Sequence, residues 1–223
     1  MEAWWERESL IKFETPTSIF IAAPSGSGKT VLTKNILKHA DGMFKVPPSK
    51  IYFCYSVWQD LYTEMKTDVK NIEFYQGLPS MEVLNDWGSE YGHKILVLDD
   101  LMIKGVDSEE LIHMMCVGSH HSNFSVIFLL QNIFQKGKSM RTASLNCHYF
   151  LLLSTKREVL QIGTLGKQMF PGKLKYFMDA YQRATSRSYG YLLVDINPHT
   201  DTSYQLRTNI FPGQDTIIYQ PII

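Results

Sequence analysis

The chain has 223 residues, 44% of them hydrophobic, and its 22 basic residues balance 22 acidic ones to a formal net charge of zero. This balance excludes binding of nucleic acid through bulk positive charge, so any such contact must come from a local patch or from a ring of subunits. Three isolated cysteines and no apolar run of about 18–20 residues argue against a disulfide framework, a cysteine-rich zinc site and a membrane span. The N-terminal sequence lacks the basic and apolar regions of a signal peptide, which predicts an intracellular protein.

Apolar runs rich in β-branched and aromatic residues alternate with helix-like segments along the chain. This alternation predicts an α/β fold with a mainly parallel central sheet flanked by helices on both faces. We expect one domain over residues 1–223, with a short lead at 1–14 and a C-terminal arm at about 205–223 that adds a strand. The predicted strands are 18–23, 51–56, 72–77, 95–100, 125–131, 148–154 and 189–196. The predicted helices lie near 29–40, 58–67, 80–87, 107–118, 156–169 and 173–185.

The first predicted strand runs directly into "APSGSGKT", residues 23–30, and a helix pattern follows it. This segment matches the P-loop pattern of phosphate-binding loops except at its first residue. Gly26 and Gly28 allow the backbone to curl so that successive N–H groups face one point, where a helix N-terminus adds partial positive charge. Lys29 is predicted to reach the β- and γ-phosphates of a nucleotide, and the Thr30 hydroxyl to bind Mg²⁺. Ala23 replaces the usual first glycine, which is harmless if its φ is negative. The predicted phosphate-binding residues are Ala23, Pro24, Ser25, Gly26, Ser27, Gly28, Lys29 and Thr30.

Two adjacent carboxylates end the apolar strand "ILVLDD". We predict that Asp99 holds Mg²⁺ through water and that Asp100 orients and polarises an attacking water. Capping of the next turn is the alternative for Asp100, which is shorter than the glutamate common at this position. Gln131 ends the strand "SVIFLLQ". Because ligands of open parallel sheets bind beyond the carboxyl ends of the strands, it is predicted to contact the γ-phosphate or the water, a simple turn residue being the alternative.

Several segments together resemble the DNA-packaging ATPases of the FtsK–HerA superfamily. The likeness is closest to the poxvirus-type ATPases of double-jelly-roll viruses and of Polinton (Maverick) elements, and it runs from about residue 15 to 212. It implies a P-loop NTPase of the ASCE (RecA-like) type, with a strand inserted between the two Walker strands. Ala23 and Asp100 depart from the commoner residues of the motifs. The segments are "IAAPSGSGKT", "ILVLDDLM", "SVIFLLQNIFQKGKSMRTASLNCHYFLLL", "LGKQMFPG" and "YGYLLVDI".

The resemblance implies an oligomeric ring, of five or six subunits, that hydrolyses ATP with Mg²⁺ and drives double-stranded DNA into a capsid. It also implies capsid or portal-vertex partners, and action in the host nucleus or a cytoplasmic virus factory. Such rings complete each active site with an arginine from the neighbouring subunit, for which Arg141 is the first choice and Arg157 the second. Arg141 is equally well explained as one of several solvated cations.

Two groups of basic residues are candidates for contact with DNA phosphates, although ordinary solvated lysines have the same pattern. Two other functions remain open: a small-molecule P-loop kinase, and a non-catalytic assembly protein gated by nucleotide. The basic groups are Lys136, Lys138 and Arg141, and Lys167, Lys173 and Lys175.

Overall fold

A computed structural model describes residues 11–101, 123–132, 146–155 and 157–221. In these segments the centre of the molecule is a nine-stranded sheet with the order β3-β2-β4-β5-β1-β6-β7-β8-β9. The strands are β1 Ser18–Ala22, β2 Lys50–Tyr55, β3 Ile72–Gln76, β4 Lys94–Asp99, β5 Phe124–Leu130, β6 Tyr149–Leu153, β7 Tyr191–Asp195, β8 Leu206–Thr208 and β9 Ile217–Tyr219.

The strands from β3 to β6 pair in parallel, whereas β7, β8 and β9 pair antiparallel at one side of the sheet. The prediction of a mainly parallel α/β sheet is confirmed. β5 lies between β1 and β4, so one strand separates the strand that precedes the P-loop from the strand that ends in the two acids. The carboxyl ends of β1, β4 and β5 therefore meet at one edge of the sheet, which is where ligands of open parallel sheets bind.

Six α-helices and one 3₁₀ turn occur in the described segments. The bounds differ from the predicted ones by a few residues, and the first predicted helix is divided, because it ends at Lys38 and a short helix follows from Ala40. The helix predicted near 107–118 lies outside the described residues. None of these helices is long and apolar enough to span a bilayer. The helices are α1 Lys29–Lys38, α2 Ala40–Met43, α3 Asp60–Asp68, α4 Met81–Ser89, α5 Val159–Met169 and α6 Leu174–Ala184, with the 3₁₀ turn at Thr202–Tyr204.

Both faces of the sheet are covered, because successive strand residues point to opposite faces and both sets are apolar. In β5, Phe128 belongs to one core and Ile127 to the other. The first core includes residues of α4, α5 and α6, and the second includes residues of α1, α2 and α3. This arrangement explains why β4, β5 and β6 are buried along their whole length.

The C-terminal segment adds two short strands to the sheet. The expected extra strand is β8, and β9 pairs with it. A buried ion pair between Arg207 and Asp195, with Nη2 and Oδ2 2.7 Å apart, joins β8 to β7. Near the other end of the chain, Phe13 is buried against Phe44 and Tyr149. The domain limits, with a lead at 1–14 and an arm from about 205, stay a prediction.

Candidate nucleotide-binding site

The P-loop joins β1 to the N-terminus of α1. Gly26 and Gly28 have φ values of 76° and 96°, a left-handed region that L side chains rarely adopt, and Gly28 is the N-cap residue just before α1. The N–H of Ser27 donates to the Pro24 carbonyl at 3.3 Å, and its hydroxyl donates to the same oxygen. Ala23 is not among the described residues with positive φ, so an alanine fits the first position of the motif.

Lys29 is buried beside the loop that precedes it. Its Nζ donates to the carbonyl of Ala23 at 3.1 Å and lies 4.0 Å from Oδ1 of Asp100. The ammonium group therefore stands between the loop that begins after β1 and the acids that end β4. This is a position from which one cation can contact a phosphate bound to the loop.

Asp99 is only 3% exposed at the end of β4. Burial raises the pKa of its carboxyl group, while hydrogen bonds from the hydroxyls of Tyr62 and Thr30 and the nearby Lys29 charge oppose that rise. The Tyr62 hydroxyl donates to Oδ2 at 2.7 Å. The first residues of α1 and the end of β4 thus bring the Thr30 hydroxyl and the Asp99 carboxylate to one place.

Asp100 follows β4 with a left-handed backbone, at φ 52°, which an aspartate tolerates better than most residues. Its Oδ2 accepts a hydrogen bond of 3.2 Å from the side-chain amide of Gln131, just beyond the end of β5. Its Oδ1 is buried and has no hydrogen-bond partner among the described residues. Lys29, Asp99, Asp100 and Gln131, predicted separately from the sequence, are therefore brought together at one sheet edge.

Two adjoining cavities open at this edge. One, of about 420 Å³, is lined by the P-loop, Asp100 and the start of α3. The other, of about 400 Å³, is lined by Val31 and Asn35 of α1, the segment that joins α6 to β7, and the C-terminal strands. Gly28, Val31 and Tyr189 line both cavities. Tyr189 is 71% exposed and has a φ of 59°, and its ring lies directly over Gly28.

The oxygen groups at this edge suit a hard divalent cation. The Thr30 hydroxyl and the Asp99 carboxylate are the oxygen donors that Mg²⁺ prefers. Oδ1 of Asp100, which has no hydrogen bond from the described residues, is a further acceptor for a water molecule. The residues present therefore fit the predicted Mg²⁺, with Thr30 and Asp99 as its ligands directly or through water.

Comparison with protein families identifies the group to which the chain is related. The profile of the poxvirus A32 protein matches residues 2–161, which is more than half of the chain. The chain belongs to the poxvirus A32 family. No curated protein sequence matches this A32-family chain.

Solved structures with the same fold include viral and secretion ATPases. The DNA-packaging ATPase B204 of Sulfolobus turreted icosahedral virus matches with a TM-score of 0.59 and 13% identity, over 93% of this chain and 98% of B204. B204 from Sulfolobus turreted icosahedral virus 2, in complex with ATPγS, matches with a TM-score of 0.57 and 12% identity, over 93% and 98% of the two chains. The cytoplasmic domain of the Thermomonospora curvata type VII secretion ATPase EccC matches with a TM-score of 0.52 and 10% identity, over 91% of this chain and 25% of EccC. These likenesses confirm the P-loop NTPase fold.

The predicted basic residues of the A32-family chain are only partly described. Arg141, Lys136 and Lys138 lie outside the described residues. Arg157 is exposed shortly after β6, whose carboxyl end lies at the same sheet edge as the P-loop. The second basic group, Lys167, Lys173 and Lys175, is exposed around the turn between α5 and α6 and forms no ion pair within the described segments.

Two tyrosines of the site were not predicted from the sequence. Tyr62 lies in α3, and nothing in its local pattern indicates that its hydroxyl reaches the end of a strand. Tyr189 is part of the "YGYLLVDI" segment that carries the family resemblance, but its left-handed backbone and its contact with Gly28 depend on how β7 pairs in the sheet. Both are contacts between segments distant in the sequence, which a local pattern does not contain.

Proposed function

We propose that this A32-family chain is an ATP-hydrolysing motor that packages double-stranded viral DNA into a capsid as an oligomeric ring. The observation that carries the proposal is the meeting of the P-loop, two carboxylates and an amide at one sheet edge. Packaging as the use of this hydrolysis is supported by family membership and by the shared fold of B204, a DNA-packaging ATPase.

In this proposal the loop from Ala23 to Thr30 binds the triphosphate. Its backbone N–H groups and the N-terminus of α1 attract the phosphate oxygens, and the Lys29 ammonium neutralises charge on the β- and γ-phosphates. The adjoining cavity of about 400 Å³ takes the base and ribose, because it continues from the phosphate cleft past Gly28 and Tyr189. A cavity of this volume is in the range used by small-molecule ligands, about 300–1,000 Å³.

Hydrolysis in this proposal depends on Asp100. Thr30 and Asp99 would hold Mg²⁺, which would supply Lewis-acid polarisation of the phosphate oxygens. Asp100 presents Oδ1, which has no hydrogen bond within the described segments, to a water and accepts its proton as the water oxygen bonds to the γ-phosphorus and the bond to the bridging oxygen of ADP breaks. Gln131 anchors the other carboxylate oxygen, and the same amide responds to the presence of the γ-phosphate.

The finer parts of the proposal concern assembly and partners. The ring has five or six subunits, and an arginine of one subunit, Arg141 or Arg157, completes the active site of the next. Duplex DNA contacts the basic groups through its phosphates, which makes the contact independent of sequence and sensitive to salt. The chain acts on a capsid or portal vertex in the host nucleus or a cytoplasmic virus factory, in a virus or a Polinton-like element.

The experiment that tests the proposal is ATP hydrolysis with and without duplex DNA. The wild-type protein is expected to hydrolyse ATP in the presence of Mg²⁺ and to do so faster when duplex DNA is added. Lys29→Ala should abolish hydrolysis, because it removes the cation beside the γ-phosphate. Lys38→Ala is the matched control, since it removes a lysine from the last turn of the same helix, about half exposed and outside both cavities.

The three candidate functions, which are packaging motor, small-molecule kinase and nucleotide-gated assembly protein, predict different outcomes of this experiment. Transfer of phosphate to a nucleoside or another small acceptor selects the kinase. Nucleotide-dependent oligomerisation without turnover selects the assembly protein. If the Lys29→Ala and Lys38→Ala proteins hydrolyse ATP at the same rate, the proposed nucleotide site is contradicted.

A further inference from the structure

Asp99 is held by a residue that the proposed reaction does not use. The hydroxyl of Tyr62 donates to Oδ2 of Asp99 at 2.7 Å, and the tyrosine is only 1% exposed. This hydrogen bond occupies one carboxylate oxygen and leaves Oδ1 for other partners. Within the described segments it is the one hydrogen bond to the Asp99 carboxylate that comes from outside the P-loop.

The position of that hydroxyl is fixed by an aromatic cluster. The Tyr62 ring packs against the rings of Phe53, Tyr55, Trp58 and Phe74, with centroid distances of 5.0, 5.5, 5.5 and 5.6 Å. These four residues come from β2, from β3 and from the loop before α3. A phenol enclosed on so many sides has little freedom to turn, so its hydroxyl is a fixed point for the carboxylate.

The cluster also reaches the surface. Trp58 is 39% exposed, and Lys66 of α3 lies over its ring at 4.7 Å. The neighbouring residues Gln59 and Leu61 line the phosphate cleft. The start of α3 therefore contacts the cleft on one side, and the same helix carries the hydroxyl that holds Asp99.

We propose that Tyr62 is a positioning residue for the metal site: it fixes the Asp99 carboxylate in the orientation that binds Mg²⁺ with the nucleotide. This inference rests on the proposed nucleotide site. Residues that orient a metal ligand through a hydrogen bond are part of a metal site, and their loss typically weakens metal affinity about 10–100-fold. The inference adds to the site a residue from α3, outside the motifs of the sequence.

The test is the Mg²⁺ requirement for binding a fluorescent, non-hydrolysable ATP analogue by Tyr62→Phe. Phenylalanine keeps the ring in its cluster and removes only the hydroxyl. We expect the affinity measured in EDTA to be that of the wild type, and the Mg²⁺ concentration for half-maximal binding to rise about tenfold or more. Hydrolysis is not needed for this measurement.

Tyr55→Phe is the matched control. Tyr55 belongs to the same aromatic cluster and lies opposite Asp99 in the register of β2 and β4, but its hydroxyl makes no hydrogen bond to Asp99. This variant should keep the wild-type Mg²⁺ requirement. Three results would overturn the role of Tyr62. They are an unchanged Mg²⁺ requirement in Tyr62→Phe, an equal loss of nucleotide affinity in EDTA and in Mg²⁺, and a change in Mg²⁺ requirement that Tyr55→Phe shares. A wild-type protein whose nucleotide binding does not depend on Mg²⁺ overturns the proposed function as well.

Discussion

Gly28 of the P-loop lies against the Tyr189 ring, which lines both cavities. Its φ of 96° places it in the left-handed region, and a Cβ added there would lie 2.7 Å from Cδ1 of Tyr189. A side chain at this position is therefore disfavoured by the left-handed backbone, and it would also have to displace the Tyr189 ring. The same close approach lets Tyr189 border both cavities.

We predict that Gly28→Ala lowers affinity for an ATP analogue at least tenfold and destabilises the protein by about 1 kcal/mol or more, because the alanine strains the loop and displaces Tyr189. Titration with the fluorescent analogue and thermal unfolding measure the two effects. Gly163→Ala is the control: Gly163 lies within α5, and nothing stands within 4 Å of its added Cβ. This alanine should leave affinity unchanged and stabilise the helix by up to about 1 kcal/mol. Wild-type affinity in Gly28→Ala would contradict the account of the loop.

At the scale of elements, the edge of the sheet opposite the P-loop is held by a buried histidine. His93 precedes β4, its Nδ1–H donates to the Val46 carbonyl at 2.8 Å, and its Nε2 accepts from the Ser125 hydroxyl of β5 at 2.8 Å. Ser125 in turn accepts from the N–H of Thr17, just before β1. The neutral imidazole thus joins the starts of three strands whose carboxyl ends form the site.

Burial lowers the pKa of His93 to about 4. Because an unfolded chain binds the proton near pH 6.5, the contribution of His93 is complete above that pH and is lost as the pH falls toward 4. We predict a loss of about 2 kcal/mol in the free energy of unfolding between pH 7 and pH 5 from this residue. Chemical denaturation at the two pH values measures it, with His93→Asn as the control that does not titrate. An equal pH dependence in the two proteins would contradict this assignment.

The sequence predicted the elements that carry a strong apolar pattern. β4, β5 and β6 are mostly apolar and fully buried, and the P-loop was predicted from the residues that its backbone requires. The strand expected between the two Walker strands is β5. The rest of the strand order and the antiparallel direction of β7 were not predicted, because a hydrophobic pattern does not contain strand direction. β9 was not predicted as a strand in its own right, since it has three residues and is only partly buried.

The residues of the site were predictable where, like the strands, they have a local signal in the sequence. Lys29, Asp99, Asp100 and Gln131 were selected because each stands at the end of a strand or in the loop after one. Tyr62 and Tyr189 were missed because their contributions come from a hydroxyl and a ring that reach across the fold. The distance between Gln131 and Asp100 also depends on β5 lying beside β4, which only the strand order determines.

At the scale of the whole molecule, the open phosphate cleft is consistent with a site that a neighbouring subunit completes. Arg157 is exposed shortly after β6, and Arg141 lies outside the described residues. If an arginine of one subunit acts in the site of the next, as proposed, alanine in its place should lower ATP hydrolysis by about 10³-fold or more. Mixing that variant with Lys29→Ala subunits should restore activity, because each supplies what the other lacks.

Arg141→Ala is the variant expected to pass this mixing test. Arg157→Ala is the comparison. If mixing restores the ATPase activity of Arg157→Ala but not that of Arg141→Ala, Arg157 is the arginine that acts in trans. Hydrolysis unaffected by either substitution would contradict completion of the site by these arginines. ATPase rates of the single variants and of the mixtures measure all of these outcomes.

The most direct measurement is an electron-microscopy or crystal structure with ATPγS, Mg²⁺ and duplex DNA. We predict that the γ-phosphate lies between the Lys29 ammonium and the Asp100–Gln131 pair, with Mg²⁺ beside Thr30 and Asp99. A nucleotide bound elsewhere, or a γ-phosphate outside contact with both Lys29 and the two acids, would contradict the account.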